Sequence, residues 1–476
     1  MRASLRPLLA STARGRSTGR PWSAASAVAA ALLLVMNTVP VTAQLQDRAR
    51  RIALIDSVAR AAIESGRVAG LTIGVVIGKD TLALRAYGYA DVELDVATPA
   101  RAVYEIGSIT KQFTAAAVLQ LWEQGKLDLD ADITRYLPEY PTQSHRIPLR
   151  RLLDHTSGIR GYTELPAFRR IASRTLPRDS LVALFQNEPF DFAPGDALIY
   201  NNSAYFLLGL IIEKVSGTTY ADYVQRNLFE RTGMPDSRYC SNTAIVKRRA
   251  KGYSATPAGL QRADHIDHTW PFAAGSLCST AGDLITWTRA LHSGRVLGER
   301  PYRELITPGT LNDGTPVRYA KGLGRGTIAG HPVIGHGGGI PGFLSDLVYL
   351  PDRDAVIVVL MNTTGPLDPR NLVDTIVRRI FGTRAPPPAV AYTGDLTALV
   401  GTFRGRGRGT DVTMRVAVDG GTLRVFRDSN PLTLEHTGNG IFRSGNRLFR
   451  FRLNNGRATH LIADEGGSVL VLRRVE

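Results

Sequence analysis

The stretch YEIGSITK, residues 104–111, precedes an apolar pattern that continues through Leu121 and ends at Gly125. Apolar residues at this spacing predict a helix, with Ser108 at its N-terminus. Lys111 follows three residues later, which places both side chains on one helical face. Such pairs are common, and a capping serine beside a solvated lysine is their ordinary interpretation.

The Ser108–Lys111 pair also has a chemical interpretation. A serine hydroxyl is a poor nucleophile until a neighbouring base removes its proton, and a lysine serves as that base when burial or nearby charge lowers its pKa. A helix N-terminus also favours the negative charge that develops during attack on a carbonyl group. Other segments must supply the remaining catalytic groups.

Two segments further along the chain supply such groups. Tyr200 and Asn202, in IYNNS, provide a phenol and an amide. His336, Gly338 and Gly339 belong to GHGGGIPGF, where glycines let a substrate backbone approach and expose N–H groups for an oxyanion. This segment also matches the pattern GxGxxG, but no helix pattern follows it, and we exclude dinucleotide binding.

In order and spacing, the three segments resemble the S-x-x-K, Y-x-N and H/K-x-G motifs of the penicillin-recognising serine hydrolases. The closest likeness is to class C β-lactamases and D-alanyl-D-alanine carboxypeptidases. LLDHTSGI (152–159) and AGSLCSTAGDL (274–284) are similar to family sequences as well. The resemblance covers roughly residues 50–381. It implies an α+β fold, an α/β sandwich whose antiparallel sheet is flanked by helices and a helical subdomain.

The resemblance implies the catalytic roles. Ser108 is expected to be the nucleophile and Lys111 its activating partner. Tyr200 is expected to be the general base, with a pKa depressed by nearby cations. The backbone N–H groups of Ser108 and Gly339 are expected to form the oxyanion hole.

The resemblance also implies substrate-binding roles for Asn202, His336 and Gly338. His336 stands where most class C β-lactamases carry Lys, and a histidine is only partly charged near neutral pH. The rate with a carboxylate-bearing substrate is therefore expected to fall between about pH 6 and 8. The expected activity is that of a D-amino-acid peptidase, carboxypeptidase or esterase. A β-lactamase and a non-catalytic binding protein are the alternatives.

Residues 1–43 have the pattern of a secretory signal peptide. They contain five Arg and no acidic residue, an apolar run from Trp22 to Met36, and the small residues VTA before Gln44. The run is shorter than the roughly 20 residues of a spanning helix. We expect a cleaved signal and a periplasmic or secreted protein, with an uncleaved anchor as the alternative.

Cys240 and Cys278 are the two cysteines of the chain. They form either a disulfide or two separately buried thiols, and export favours the disulfide. His265, Asp267 and His268 lie in a polar stretch without a clear additional ligand, so we expect neither a metal nor a cofactor.

The composition, with 43% hydrophobic and 21% charged residues, excludes wholesale disorder. The formal charge of +16 falls to +11 when residues 1–43 are removed. The basic residues are mostly scattered Arg, which argues against nucleic-acid binding and is compatible with peripheral attraction to an anionic cell envelope. The expected partner is a small-molecule or peptide substrate.

The hydrophobic periodicity divides the chain at a Pro-rich linker, residues 385–392. Between residues 44 and 384, hairpin patterns near both ends enclose a mostly helical middle, which predicts one antiparallel sheet built from both ends. Residues 393–476 alternate with period two and predict a small antiparallel barrel or sandwich, compatible with a lipocalin-like domain. Its RGRGRG tract (404–409) is interpreted as an exposed hairpin, and no catalytic residues are expected in this domain.

Overall fold

The computed structural model describes residues 41–427 and 430–476, of which residues 51–476 form one compact unit. Residues 1–40 of the predicted signal peptide lie outside the described residues, and residues 41–43 belong to the first helix. Among the described helices, none has the length and apolar character of a membrane span.

The described α-helices all end before residue 382. They are α1 (Val41–Glu64), α2 (Thr110–Glu123), α3 (Leu149–Leu153), α4 (Pro166–Ile171), α5 (Arg178–Ala183), α6 (Asn202–Ser216), α7 (Tyr220–Val224), α8 (Glu230–Thr232), α9 (Phe272–Gly275), α10 (Ala281–His292), α11 (Glu299–Ile306) and α12 (Pro369–Phe381).

The strands form two groups, one before residue 365 and one after residue 400. The first group is β1 (Gly70–Ile77), β2 (Asp80–Asp91), β3 (Val96–Ala97), β4 (Tyr104–Glu105), β5 (Leu198–Ile199), β6 (Arg238–Tyr239), β7 (Tyr253–Thr256), β8 (Gly259–Arg262), β9 (Leu277–Ser279), β10 (Gly324–Ile328), β11 (His331–Ile340), β12 (Phe343–Leu350), β13 (Ala355–Met361) and β14 (Thr363–Thr364). The second is β15 (Gly401–Arg406), β16 (Asp411–Asp419), β17 (Thr422–Arg427), β18 (Asn430–Thr433), β19 (Glu435–His436), β20 (Phe442–Ser444), β21 (Arg447–Asn454), β22 (Arg457–Asp464) and β23 (Ser468–Arg474).

The central sheet has seven antiparallel strands in the order β10-β11-β12-β13-β1-β2-β3. Its two halves join where β1 pairs with β13, with Leu71 opposite Met361. The prediction of one sheet built from both ends of the segment is therefore confirmed.

Both faces of this sheet are covered, which explains why β13 is an unbroken apolar run. Val356, Val358 and Leu360 pack into the core on the side of the helical region. Ile357 and Val359 alternate with them and pack on the other side, with residues of α1 and α12. This α+β arrangement confirms the fold expected from the sequence.

Helix α2 lies in the core between the sheet and the helical region. It is buried from Thr110 to Leu121, and the Phe113 ring stacks on Trp287 with ring centroids 4.0 Å apart. A helix that is buried all round is held by packing on every side. Its N-terminal turn is therefore a rigid base for the side chains that it carries.

The C-terminal strands form a separate antiparallel sheet in the order β18-β17-β16-β15-β23-β22-β21-β20-β19, which curls into a nearly closed barrel. Alternate side chains, such as Phe403, Val425 and Leu472, fill its own apolar core. This fold confirms the predicted small antiparallel domain. The sheet also continues into β5, because Ser468 of β23 pairs with Ile199.

Cys240 and Cys278 form a disulfide with their Cα atoms 5.2 Å apart, which confirms the predicted pairing. Cys278 lies in β9, which also pairs with β4 at Glu105. In the chain-entropy account, a loop of this length stabilises the fold by on the order of 3–4 kcal/mol. The bond therefore braces the strand that leads into Ser108.

Candidate active site

Ser108 lies in a 3₁₀ turn, Gly107–Ile109, immediately before α2. This confirms the predicted place of the serine at a helix N-terminus. Gly107 has a φ of +51°, and a Cβ at this position would lie 2.8 Å from the backbone nitrogen of Gly339. A glycine is therefore needed both for the turn and for the close approach of β11.

Lys111 is completely buried, and its Nζ lies 3.2 Å from Ser108 Oγ, 2.9 Å from Asn202 Oδ1 and 2.8 Å from the carbonyl oxygen of Ala274. Burial and the positive charge of Arg408 hold the pKa of Lys111 well below its usual range. A neutral amine fits these contacts, because its two N–H groups donate to Asn202 and Ala274 and its lone pair accepts from Ser108. The site thus holds a base against the serine hydroxyl.

Tyr200 follows β5 and lies buried beside Lys111, whose Nζ is 4.7 Å from the centroid of its ring. Burial raises the pKa of Tyr200 above its ordinary value, although the hydroxyl of Ser108 and the charge of Arg408 oppose the rise. The expectation of a depressed pKa is therefore wrong, because desolvation outweighs the cations. Within the described residues, the Tyr200 hydroxyl has no hydrogen-bond partner of standard geometry. The raised pKa keeps Tyr200 a protonated phenol, and the residue lines a cavity together with Ser108.

Asn202 begins helix α6, whose N-cap is Asn201. The Asn202 amide is held from both ends, because Oδ1 accepts from Lys111 and Nδ2 donates to Thr163 Oγ1 at 3.2 Å. The structure thus brings Asn202 next to Lys111, as the sequence motif predicts.

The ring of His155 packs against that of Tyr200, with centroids 4.4 Å apart. Its Nδ1 accepts a hydrogen bond from the backbone N–H of Asn201 at 3.2 Å. His155 therefore supports the loop that carries Tyr200.

His336 lies on β11 and makes two hydrogen bonds that define its protonation. Its Nδ1 is 2.5 Å from the carbonyl oxygen of Gly337, which can only accept, so Nδ1 carries the proton. Its Nε2 then accepts from the hydroxyl of Tyr319 at 2.9 Å. Burial is the largest cause that lowers the pKa of His336, to about 3. The expectation that His336 loses a proton between about pH 6 and 8 is therefore wrong.

The glycines of β11 let this strand pass directly beside the serine turn. A Cβ on Gly338 would lie 2.1 Å from the carbonyl oxygen of Ile106 and 2.4 Å from Ser345 Oγ. Strand β10 pairs with β11 only as far as Gly335, so the segment that follows is paired only with β12. The backbone of Gly339 lies against Gly107, which brings the two predicted oxyanion-hole residues together.

The sequence of residues 55–380, more than half of the chain, matches the β-lactamase family. The chain belongs to the β-lactamase family. It is a serine hydrolase, and residues of its three sequence motifs meet in one site.

One relative and two solved structures illustrate which members of the family this chain is similar to. A D-aminopeptidase of Gluconobacter oxydans (strain 621H) is 26% identical over 360 residues, 75% of this chain and 67% of that protein. A solved D-stereospecific amidohydrolase from Streptomyces sp. is 28% identical with a TM-score of 0.60, covering 70% of this chain and 99% of that one. A solved penicillin binding protein from Bacillus halodurans is 25% identical with a TM-score of 0.57, covering 68% and 98%.

Two cavities meet at Ser108 of this β-lactamase-family hydrolase, and Asn202, Gly339 and Arg408 line both. The larger measures about 600 Å³ and extends to residues of the C-terminal domain, while the smaller measures about 240 Å³ and is mostly apolar. A third cavity of about 760 Å³ lies at β10, α12 and the C-terminal domain and does not include Ser108. The pair of cavities around the serine is therefore the candidate substrate site.

Arg408 reaches this site from the tip of the hairpin between β15 and β16. Its Nε lies 2.6 Å from Glu164 Oε1, and its guanidinium carbon is 5.3 Å from the centroid of the Tyr200 ring. Arg406 of the same hairpin bonds to Asp191 at 3.1 Å. The tract forms the expected hairpin and Arg408 is exposed, but the interpretation is incomplete, because the tip also packs against the cleft at Ser108.

The residues considered as metal ligands make other contacts. The Asp267 carboxylate accepts from Thr175 Oγ1 at 2.7 Å and from Asn242 Nδ2 at 2.8 Å, and His268 Nδ1 lies 3.3 Å from Ser276 Oγ. Within residues 41–427 and 430–476, no group of three or more His, Cys, Asp or Glu side chains fits a metal ion.

Proposed function

We propose that this chain hydrolyses amide or ester bonds of D-amino-acid substrates through an acyl-Ser108 intermediate. The observation that carries the proposal is the buried Lys111 amine 3.2 Å from Ser108 Oγ, in a cleft that β11 borders. The D-aminopeptidase and the D-stereospecific amidohydrolase among its relatives support the substrate class. On the basis of the signal-peptide pattern, we also propose that the reaction takes place in the periplasm or outside the cell.

Acylation begins when Lys111 takes the proton of Ser108 and the seryl oxygen bonds to the carbonyl carbon of the substrate. The negative charge then moves to the carbonyl oxygen, where the backbone N–H groups of Ser108 and Gly339 stabilise it. Loss of one such donor typically lowers kcat by about 10²–10³.

The leaving group needs a proton before it departs, and Tyr200 is placed to supply it. Its phenol gives its proton to the leaving nitrogen or oxygen and recovers one from Lys111. The carbon–nitrogen or carbon–oxygen bond then breaks. Water attacks the acyl-enzyme by the same proton path in reverse, which releases the acid and restores the hydroxyl of Ser108.

The test is covalent labelling of the purified protein with a fluorophosphonate and with a fluorescent penicillin. Wild type should form a fluorophosphonate adduct, and Ser108→Ala should form none. Ser157→Ala is the matched control, because Ser157 is a buried serine outside the cleft residues and should leave labelling intact. Absence of any Ser108-dependent adduct would show a non-catalytic protein. A transient penicillin adduct with rapid turnover would instead show a β-lactamase.

A further inference from the structure

We propose that Arg408 binds the carboxylate of the group that leaves from Ser108, so that the preferred substrates are peptides with a free C-terminal carboxylate. This inference rests on the proposed function and names the substrate class within it. It assigns a binding residue to the C-terminal domain, which the sequence patterns leave without a role.

The charge around Ser108 points to Arg408. Among the described residues, it is the one Lys or Arg that lines either cavity at the serine. His336, which lines the larger cavity, is neutral, since its hydrogen bonds to Gly337 and Tyr319 suit an uncharged ring. The cation available to an anionic group of a substrate is therefore Arg408 on the hairpin, and not His336 on β11.

The guanidinium of Arg408 is held in place with one edge available. Its Nε bonds to Glu164 at 2.6 Å and its Nη2 lies 3.4 Å from Thr163 Oγ1. Its Nη1 has no hydrogen bond to any described residue, and the side chain is 45% exposed. A planar guanidinium fixed at one edge can bind a carboxylate at the other with two parallel N–H···O bonds. Glu164 thus orients the guanidinium of Arg408 and leaves its other edge available for a carboxylate.

The position of Arg408 selects the leaving group. Its guanidinium carbon lies 5.3 Å from the centroid of the Tyr200 ring, and Tyr200 is the proton donor to the leaving nitrogen in the proposed mechanism. In an α-amino acid, the carboxylate carbon lies about 2.5 Å from the nitrogen, given the standard bond lengths and angle. A carboxylate on the leaving residue therefore comes within reach of Arg408, whereas ammonia or a simple alcohol offers no such group.

The reaction balances with the peptide and one water molecule as its reactants. The Ser108 oxygen bonds to the carbonyl carbon, the carbon–nitrogen bond breaks, and the serine proton reaches the nitrogen through Lys111 and Tyr200. The amino acid leaves with its carboxylate unchanged, and water hydrolyses the acyl-enzyme. Arg408 forms and loses only hydrogen bonds, so it is a binding residue and takes no part in proton transfer.

The test compares an N-acetylated D-amino-acid dipeptide that has a free C-terminal carboxylate with the same dipeptide as its C-terminal amide. In wild type, kcat/KM should favour the acid. Arg408→Gln should lower the ratio of the two kcat/KM values about tenfold or more, as expected for a lost charge-assisted pair. Any change in the basicity of Lys111 affects both peptides and cancels in the ratio.

Arg404→Gln is the matched control, because Arg404 belongs to the same tract, lies outside both cavities and contacts Thr413. It should keep the wild-type ratio. Arg408→Lys should give an intermediate ratio, since an ammonium group keeps the charge but loses the bidentate geometry; it decides the question if Arg408→Gln does not fold.

Two outcomes separate the inference from the proposed function. Turnover of both dipeptides with an unchanged ratio in the Arg408 variants would overturn the inference alone. Failure of wild type to hydrolyse either dipeptide would overturn the D-peptidase function and the inference with it.

Discussion

Lys111 and Arg408 both lie near Ser108, but they differ in burial and in their hydrogen-bond partners. Lys111 is fully buried, and it forms hydrogen bonds with the neutral groups of Ser108, Asn202 and Ala274. Arg408 is 45% exposed and pairs with the carboxylate of Glu164. Burial without a counter-ion favours the neutral amine, whereas a guanidinium stays charged in proteins.

The difference shows how one site contains both a base and a cation. The hydrolase core supplies the base by desolvating Lys111, and the C-terminal domain supplies the charge by docking a hairpin tip. The two settings are coupled, because the charge of Arg408 adds to burial in lowering the pKa of Lys111. A cation held at the mouth of the cleft therefore helps to keep the base inside it unprotonated.

The largest effect is expected from Lys111→Met, which keeps the shape of the side chain but removes the proton acceptor. The rate of acylation should fall by about 10²–10⁴, the usual contribution of a general base. Thermal stability should change little, since an apolar side chain suits a fully buried site. Steady-state kinetics and a thermal melt measure the two effects.

Lys321→Met is the matched control for a buried lysine. Lys321 is 4% exposed, but its Nζ donates to the carbonyl oxygen of Thr307 and pairs with Glu304 at 3.1 Å. This variant should lose stability and keep the kcat/KM of the folded protein. Undiminished turnover in Lys111→Met would mean that another group accepts the proton of Ser108.

The catalytic cluster was predictable because local patterns carry it. A serine and a lysine three residues apart on a helix share one face of it. A glycine-rich strand indicates that another backbone segment or a substrate approaches the strand closely. The protonation states were not predictable, because they depend on desolvation. The pKa of Tyr200 is raised where a depressed value was expected, and the pKa of His336 lies below the expected range near neutrality. In each case the first cause is burial, which no motif records.

The hairpin tip was not predictable because its partners are remote in sequence. Arg408 lies 244 residues from Glu164 along the chain, and its tract has the alternation of an ordinary hairpin. The tip is positioned by the docking of the barrel, through the pairing of β5 with β23 and through contacts of the hairpin with remote residues. Tyr319 was missed for the same reason, since nothing around it in the sequence marks it as the partner of His336.

A second, smaller effect is expected from Gly409→Ala at the hairpin tip. Gly409 has a φ of +76°, and a Cβ there would lie 3.0 Å from the Cβ and Cγ atoms of Glu164. The added methyl group should displace the tip and lower kcat/KM several-fold for a carboxylate-bearing dipeptide. The positive φ adds a stability cost of about 1 kcal/mol.

Gly421→Ala separates these two contributions. Gly421 has a φ of +77° in the next hairpin, and a Cβ there would meet nothing within 4 Å. It should show the same loss of stability by urea denaturation and no change in kcat/KM. Equal kinetic effects of the two substitutions would mean that contact of the tip with Glu164 does not matter for substrate binding.

A third effect concerns His336 and is a change in stability that develops in acid. Its folded-state pKa of about 3 lies below that of an unfolded histidine, about 6.5. The unfolded chain therefore binds more protons as the pH falls from about 6.5, and this group makes the folded state less stable toward about pH 3. His336→Gln removes that contribution, so the difference in unfolding free energy between wild type and variant should shrink between pH 7 and pH 4.

His292→Gln tests whether the acid effect belongs to burial or to the catalytic site. Burial, followed by the charge of Arg289, lowers the pKa of His292 to about 4, and its Nδ1 lies 2.8 Å from the hydroxyl of Tyr302, away from the cleft. Both variants should therefore show the shrinking difference, but only His336→Gln should lower kcat/KM. A difference that widens in acid for His336→Gln would mean that the folded protein protonates His336. The carboxylate of the substrate would then have a second cation on β11, and the contrast between a neutral core and a charged hairpin would no longer hold.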